Sequence, residues 1–270
     1  MERVEYPVVS GGNTISVVTV LLEMGILAMK VPVTELTLEA PAGLIRVRAD
    51  CQNGKVKAVT FRNVPAFAAH LDAEIEVPHL GKVRVDVGWG GMFYVIADVR
   101  QFKGLELKPE HGREIARISA MIRQAAHEQL PVAHPDYPGV GITISQLSGP
   151  ADDPRADWRN AVTMATGPLS WDDPNTWTGA IDRCPCGTGT CAKMAVLNAK
   201  GELPIGQDFR HQGILDTIFT GRLVEEARIG DRAAVVPTIS GTSWIFGINT
   251  LVLDHDDPLP NGYTMGDIWA

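Results

Sequence analysis

The chain has 270 residues, of which 45% are hydrophobic, and a formal net charge of −8 at pH 7. This length predicts two lobes of ordinary size, and the charge argues against nucleic acid or an anionic membrane as a partner. Without a transmembrane-length apolar run or a secretory signal, we expect a cytoplasmic protein with reduced thiols at Cys51, Cys184, Cys186 and Cys191.

The first predicted element is a helix over residues 14–23. It follows the glycine-containing loop of residues 10–13 and ends before Gly25, which is typical of a helix terminus. Because it is apolar on most faces, we expect it to be deeply buried.

The next part of the chain alternates between apolar and polar residues, which predicts strands. The strands are expected at residues 35–40, 44–49, 55–61, 82–87 and 89–97, with a turn at residues 41–43. A second helix is predicted over residues 109–130. Its apolar face consists of Ile115, Ile118, Met121, Ile122, Ala125 and Ala126.

Short strands then resume as far as residue 162, a third helix is expected at about residues 190–200, and residues 209–252 indicate strands and turns. Strand-rich regions that each contain a helix favour an α+β fold over a parallel βαβ sheet. The prolines from Pro131 onward predict a crossing between lobes. We therefore place the first lobe at residues 1–130 and the second at 131–244, with residues 245–270 joining the first.

Two distant segments match without gaps. Residues 10–27 align on residues 186–203 with six identical positions of eighteen, and each copy has the pattern loop, helix, glycine. Ser10 and Cys186 occupy equivalent places, each just before a glycine at a predicted helix N-terminus. Free N–H groups and the helix dipole attract an anion there and favour a thiolate. Two such ends facing each other could hold one carboxylate and flank its α-carbon on both faces.

The stretch DRCPCGTGT at residues 182–190 resembles the second catalytic motif of the proline racemase and hydroxyproline epimerase family. Residues 89–94, 219–222 and 240–244 resemble further blocks of that family, in the same order. The resemblance implies two pseudo-symmetric lobes of the diaminopimelate epimerase-like type, each a barrel-like sheet around a central helix. It also implies catalysis with no cofactor and no metal. A small imino acid is the expected partner, and a homodimer is compatible with the sequence.

Three differences separate the chain from the family pattern. Ser10, Gly11 and Gly12 stand where the first motif has a cysteine followed by Gly-His. No histidine occurs in residues 170–174, where many racemases have one. The upstream strands of the family are missing before Met1, so we expect an incomplete first lobe.

The predicted site has two catalytic residues, Cys186 and Ser10. The substrate-binding candidates are Gly11, Gly12, Gly187 and Thr188 for the carboxylate and, as the resemblance implies, Asp182 for the ring nitrogen. Each has a plainer interpretation: a buried thiol, a helix cap, turn glycines or a turn aspartate. A zinc site at Cys184, Cys186 and Cys191 is disfavoured, since the C-x-C-x₄-C spacing lacks the paired knuckle and a nearby histidine.

The choice of reaction depends on the Ser–Cys pair. Epimerisation needs an acid and a base on opposite faces, and a serine hydroxyl replaces a thiol poorly. Dehydration of trans-3-hydroxy-L-proline needs one base and a leaving hydroxyl, so we favour a dehydratase that forms a pyrroline-2-carboxylate. Family dehydratases keep the first cysteine and replace the second with threonine, which is the mirror arrangement. The alternatives are 4-hydroxyproline 2-epimerase or proline racemase activity, and an inactive truncated relic.

Overall fold

In the computed structural model, which describes residues 7–260 and residue 262, three helices pack against a large mixed sheet. The helices are Gly11–Glu23 (α1), Gly112–Gln129 (α2) and Gly187–Ala199 (α3). The strands are Val33–Ala40 (β1), Gly43–Gln52 (β2), Lys55–Arg62 (β3), Phe67–Val77 (β4), Gly81–Trp89 (β5), Phe93–Asp98 (β6), Ile142–Pro150 (β7), Trp158–Ala165 (β8), Gly179–Ile181 (β9), Asp208–Gln212 (β10), Ile218–Ile229 (β11) and Arg232–Gly241 (β12).

The sheet runs in the order β1-β2-β3-β12-β11-β10-β8-β7-β6-β5-β4, with β9 added on β8. Most neighbours are antiparallel, and the pairs β6–β7 and β8–β10 are parallel. The predicted α+β fold is confirmed. The sheet is open and continuous across both halves, however, so the expected barrel-like sheets do not close around their helices.

The three helices differ in how far they are buried. The apolar face predicted for α2 is confirmed, because all six of its residues are buried against the sheet. Every residue of α3 from Gly187 to Leu197 is buried. The expectation of deep burial for α1 is wrong on one side: Val17 is 46% exposed and Val20 is 41% exposed, because no described strand covers that side.

The β5–β6 region also departs from its prediction. The sequence predicts a strand over residues 89–97 with a glycine interruption, but the interruption separates two strands: β5 ends at Trp89 and β6 begins at Phe93. Gly90 and Gly91 form the turn of a hairpin that packs on α3. A Cβ atom at Gly90 would lie 2.1 Å from the carbonyl oxygen of Thr188, so only glycine fits between the hairpin and the helix.

The end of the described chain contains no strand. Residues 242–260 have no regular secondary structure, contrary to the strands expected as far as residue 252, and Phe246, Ile248 and Leu251 are exposed. Residues 261 and 263–270 of the C-terminal segment, like residues 1–6, lie outside the described residues. The proposed division at residue 130 stays a prediction. None of the helices in the described part of the chain is long and apolar enough to cross a membrane.

Candidate active site

The two copies of the internal repeat adopt the same local structure. α1 and α3 each contain 13 residues and begin one residue after Ser10 and Cys186, respectively. The first helical hydrogen bond of each copy runs from a threonine N–H, Thr14 or Thr190, to the carbonyl of the capping residue at 2.9 Å. Glycines with positive φ, Gly25 at 68° and Gly201 at 75°, follow the two helices. The match in the sequence therefore reflects two equivalent helices.

The N-termini of these helices touch each other. A Cβ atom on Gly11 would lie 2.8 Å from the Cα of Gly187, and the reciprocal distance is 2.9 Å. Any larger side chain at either position would force the helices apart. The first N–H groups of a helix have no acceptor within that helix, so this contact brings two sets of free donors and two positive dipole ends together. An anion placed beside the contact would be stabilised by both ends.

A cavity of about 820 Å³ opens at this junction. It is lined by all seven residues predicted for the site: Ser10, Gly11, Gly12, Asp182, Cys186, Gly187 and Thr188. Asp182 and Arg183 are the charged members of the described lining, and most of the remaining wall is apolar. This composition suits a small ligand that carries both an anionic and a cationic group.

Cys186 lies at the base of the cavity with its thiol almost fully buried. The hydroxyl oxygen of Tyr94 is 3.4 Å from Cys186 Sγ, and the Thr188 hydroxyl is 3.8 Å from the same sulfur. Tyr94 and Thr188 are themselves hydrogen-bonded at 2.7 Å. The backbone N–H of Gly189 also donates to the sulfur. These three groups surround one side of the thiol, and since Tyr94 and Thr188 share a hydrogen bond, one of the two hydroxyls is left to donate to the sulfur.

The expectation of a thiolate at Cys186 is wrong. Burial, followed by the negative charge of Asp182, raises the pKa of Cys186 to about 12, although hydrogen bonds from Tyr94, Gly189 and Thr188 lower it. Loss of hydration outweighs the favourable helix terminus, so the resting group is a thiol. Burial also raises the pKa of Tyr94 and of Cys184 above their usual ranges.

Asp182 is half-buried and is the first residue of the motif at residues 182–190. Its Oδ1 atom accepts hydrogen bonds from the backbone N–H and the thiol of Cys184, both at 3.4 Å. Cys184 Sγ in turn accepts from the backbone N–H of Cys186, also at 3.4 Å. Cys184 therefore links the carboxylate to the Cys186 backbone. Among the described residues, none donates to Oδ2 of Asp182, which leaves that oxygen available to a ligand.

Ser10 enters the site from the other repeat copy. Its backbone is extended, with φ of −121°, whereas Cys186 has a positive φ of 61°. The Ser10 side chain makes no capping hydrogen bond to α1. The plain interpretation of Ser10 as a side-chain cap therefore fails, and its hydroxyl is free to act in the cavity.

Several lining residues were missed by sequence reasoning. Tyr94 contacts the thiol, and Met92, Phe219, Trp244 and Phe246 contribute apolar wall. Tyr94 belongs to the block of residues 89–94 that resembles the family, but a tyrosine within a strand does not by itself indicate a thiol partner. In the described part of the chain, no group of three His, Cys, Asp or Glu side chains is arranged to hold a metal ion, and the four cysteines are unpaired.

Comparison with known proteins places the chain in a family. The family model described as proline racemase matches residues 1–264. The chain is similar to a probable proline racemase from Agrobacterium radiobacter K84, crystallised with carbonate, at 34% identity and a TM-score of 0.82. The match covers 97% of this chain and 73% of that one.

A hydroxyproline epimerase from Agrobacterium vitis, crystallised with trans-4-hydroxy-L-proline, is 35% identical with a TM-score of 0.83. It is covered over 72% of its length, again by 97% of this chain. A PhzF-family protein from Bacillus anthracis shares the fold alone, at 13% identity and a TM-score of 0.53 over 87% of this chain and 73% of its own. The chain therefore belongs to the proline racemase family of enzymes.

Proposed function

We propose that this enzyme removes the α-proton of a hydroxyproline with Cys186 and that its reaction is the dehydration of trans-3-hydroxy-L-proline. The observation that carries the proposal is the contact between the two helix N-termini at Gly11 and Gly187. It brings one thiol, one free hydroxyl and one carboxylate to the same cavity. Cys186 and Ser10 are chemically unequal, because a serine hydroxyl is a far weaker acid than a thiol. This difference suits a reaction that needs only one strong base.

The substrate carboxylate would bind at the helix junction. The free N–H groups of Gly11 and Gly12 on one helix, and of Gly187 and Thr188 on the other, are the donors that line this end of the cavity. Two positive dipole ends in contact favour an anion between them. Such a carboxylate would place its α-carbon between Ser10 and Cys186.

The substrate's ring nitrogen, which is a cation, would bind beside Asp182. The charge of Asp182 helps to raise the pKa of Cys186. A bound ammonium group would cancel that charge and lower the pKa of the thiol. Binding of the zwitterion would therefore favour ionisation of Cys186, although burial still opposes it.

In the proposed dehydration, the Cys186 thiolate takes the proton from the α-carbon. The electron pair of the broken C–H bond forms a double bond between the α-carbon and C3. The C3–O bond breaks, and because the 3-hydroxyl of this isomer lies on the same ring face as the α-proton, the departing hydroxide takes the proton from the Cys186 thiol, directly or through water, and leaves as water. This transfer regenerates the Cys186 thiolate. The enamine product tautomerises to a cyclic imine, a pyrroline-2-carboxylate.

The second candidate is 2-epimerisation of 4-hydroxyproline. The 35% identity to a hydroxyproline epimerase crystallised with trans-4-hydroxy-L-proline favours it. Here the carbanion formed by Cys186 would be reprotonated on the opposite face by Ser10 or by a water held there. A serine hydroxyl is a far weaker acid than a thiol, which is the reason for ranking this reaction second.

Both substrates should be supplied to the same preparation, with the chiral product and the cyclic imine measured separately. We expect imine from trans-3-hydroxy-L-proline, and little inversion of 4-hydroxyproline. Ser10→Cys should then raise epimerase activity by about tenfold or more, equivalent to ~1.4 kcal/mol at the transition state, while dehydration changes little. Fast epimerisation by the unmodified enzyme without imine formation would overturn the dehydratase assignment. No exchange of the α-proton in either substrate would indicate an inactive relic.

A further inference from the structure

A buried hydrogen-bond network lies behind the turn that carries Cys186. The carbonyl oxygen of Pro185 accepts from Asn160 Nδ2 at 2.7 Å and from the Thr190 hydroxyl at 3.2 Å. Thr190 Oγ1 is also 2.9 Å from His211 Nδ1. Asn160, Thr190 and His211 are all fully buried. His211 is not one of the described residues that line the cavity, and it acts only through its neighbours.

His211 Nδ1 is also 3.3 Å from Asn160 Nδ2, so its role depends on the tautomer of the ring. We assign the single hydroxyl proton of Thr190 to the Pro185 carbonyl, so that its oxygen accepts from His211 Nδ1–H and Asn160 donates to Pro185 alone. Burial lowers the pKa of His211 to about 3, which keeps the ring neutral. The Nε2 atom is then a bare acceptor, and it has no partner among the described residues. The ring therefore serves as a fixed donor through Nδ1.

The network holds a strained part of the backbone. Cys186 has a φ of 61°, a region that residues other than glycine rarely adopt. The peptide group before it is the one whose carbonyl is held by Asn160 and Thr190. The other repeat copy lacks this arrangement: Thr14, the counterpart of Thr190, bonds to the carbonyl of Ser10 itself, and Ser10 is extended. The hydrogen bonds to the Pro185 carbonyl and the positive φ of Cys186 therefore occur together, in the repeat copy that contains the cysteine.

We propose that His211 is a positioning residue that, through Thr190 and the Pro185 carbonyl, holds Cys186 in its positive-φ conformation and so keeps the thiol against its hydrogen-bond donors. This inference rests on the proposed function for its kinetic effect, although the position of the thiol can be measured separately. The proposal requires that residue 211 carry a hydrogen-bond donor at the position of the His211 Nδ1 atom.

This requirement separates three substitutions at one site. In His211→Asn, the side-chain amide nitrogen can occupy the position of the Nδ1 atom. In His211→Gln, the amide nitrogen lies farther from the backbone, near the position of Nε2. His211→Leu has no side-chain donor. Thr190→Val removes the connecting hydroxyl at nearly constant shape. Thr19→Val is the matched control, because Thr19 is an equally buried helical threonine whose hydroxyl bonds to Ile15 within α1.

Two readouts are needed on each variant. The first is kcat and KM for exchange of the α-proton of trans-3-hydroxy-L-proline in deuterated buffer. We expect kcat to fall by about 10- to 100-fold in His211→Leu, His211→Gln and Thr190→Val, with KM changed less than about threefold. His211→Asn and Thr19→Val should stay within about threefold of the unmodified enzyme.

The second readout is the rate at which Cys186 is alkylated by iodoacetamide, followed by mass spectrometry, with thermal unfolding to check folding. A displaced sulfur loses the donors that lower its pKa, so alkylation at pH 8 should slow by about threefold or more in the variants that lack the Nδ1 donor. Equal alkylation and equal kcat in folded Thr190→Val and Thr19→Val would overturn the proposal, even if His211→Leu fails to fold. If no variant acts on hydroxyproline but alkylation still follows the predicted order, the positioning role stands and the proposed substrate is wrong.

Discussion

Asp182→Asn should make Cys186 more reactive and the enzyme less active. The carboxylate of Asp182 is the second cause, after burial, that raises the pKa of the Cys186 thiol to about 12. Asparagine keeps the Oδ1 acceptor that Cys184 uses, so the local hydrogen bonds can persist while the charge disappears. The substitution therefore isolates the effect of the charge on the thiol.

The size of the effect follows from the pKa. Burial is the largest cause of the increase and the charge of Asp182 is the second; for a charge of this kind we take an interaction with the thiolate of about 1.4 kcal/mol, which is a tenfold change in the ionisation equilibrium. Removing it should give about tenfold more thiolate at any pH well below the pKa. A thiolate of lower pKa is also intrinsically less nucleophilic, by a factor of about 3 for one unit at a Brønsted coefficient near 0.5. The net expectation is alkylation faster by about threefold.

The assay is iodoacetamide labelling at pH 8, with the peptides that contain Cys186 and Cys51 quantified in the same sample. Cys51 lies in β2, where its thiol contacts Thr34 of β1, and serves as an internal standard whose labelling should not change. In parallel, kcat/KM for α-proton exchange should fall by about 10-fold or more, because the substrate ammonium loses its charged partner. Unchanged or slower labelling of Cys186 would refute the electrostatic link between Asp182 and the thiol.

Three further predictions concern the thiol and the helix junction. Cys186→Ala should abolish α-proton exchange, while Cys191→Ala, which removes a buried thiol outside the cavity lining, should retain most of it. Because Cys186 must lose its proton to act and its pKa is raised, kcat/KM should rise with pH between about 7 and 9; a decline over this range would exclude the thiolate as base. Gly11→Ala should lower the free energy of unfolding, measured by chemical denaturation, by about 1–3 kcal/mol because its Cβ atom clashes with Gly187. Gly12→Ala, whose Cβ atom would lie 3.5 Å from the nearest atom, should leave that free energy unchanged or raise it.

The features that local patterns encode were predictable from the sequence. The repeat between residues 10–27 and 186–203 predicted two equivalent helices, and the structure has them at the same offset. The 3.6-residue period of α2 predicted six of its eight buried residues. The alternation at residues 35–49 predicted the β1–β2 hairpin with its turn before Gly43. Each of these depends on neighbours within a few residues, or on two segments that share a pattern.

Features that depend on long-range packing were not predictable in this way. The glycines at residues 90–91 look like an interruption of a strand until α3 is placed against them. Tyr94 reaches Cys186 across 92 positions of sequence, and His211 reaches Thr190 across 21. The resting pKa of Cys186 also required the tertiary structure, since a helix terminus and a deep burial act on the thiol in opposite directions.

The asymmetry of the two helix ends supports the proposal that Cys186, rather than Ser10, acts as the base. Ser10 is extended, its hydroxyl makes no capping bond, and its backbone carbonyl is bonded within its own helix. Cys186 is held at a positive φ, and its sulfur contacts Tyr94 and Thr188. The donors around the sulfur would stabilise a thiolate once a cation lies beside Asp182, whereas no described residue stabilises an alkoxide at Ser10. Under the proposed mechanism, proton removal takes place on the Cys186 face, and Ser10 is left to deliver a proton to the carbanion in the alternative epimerisation.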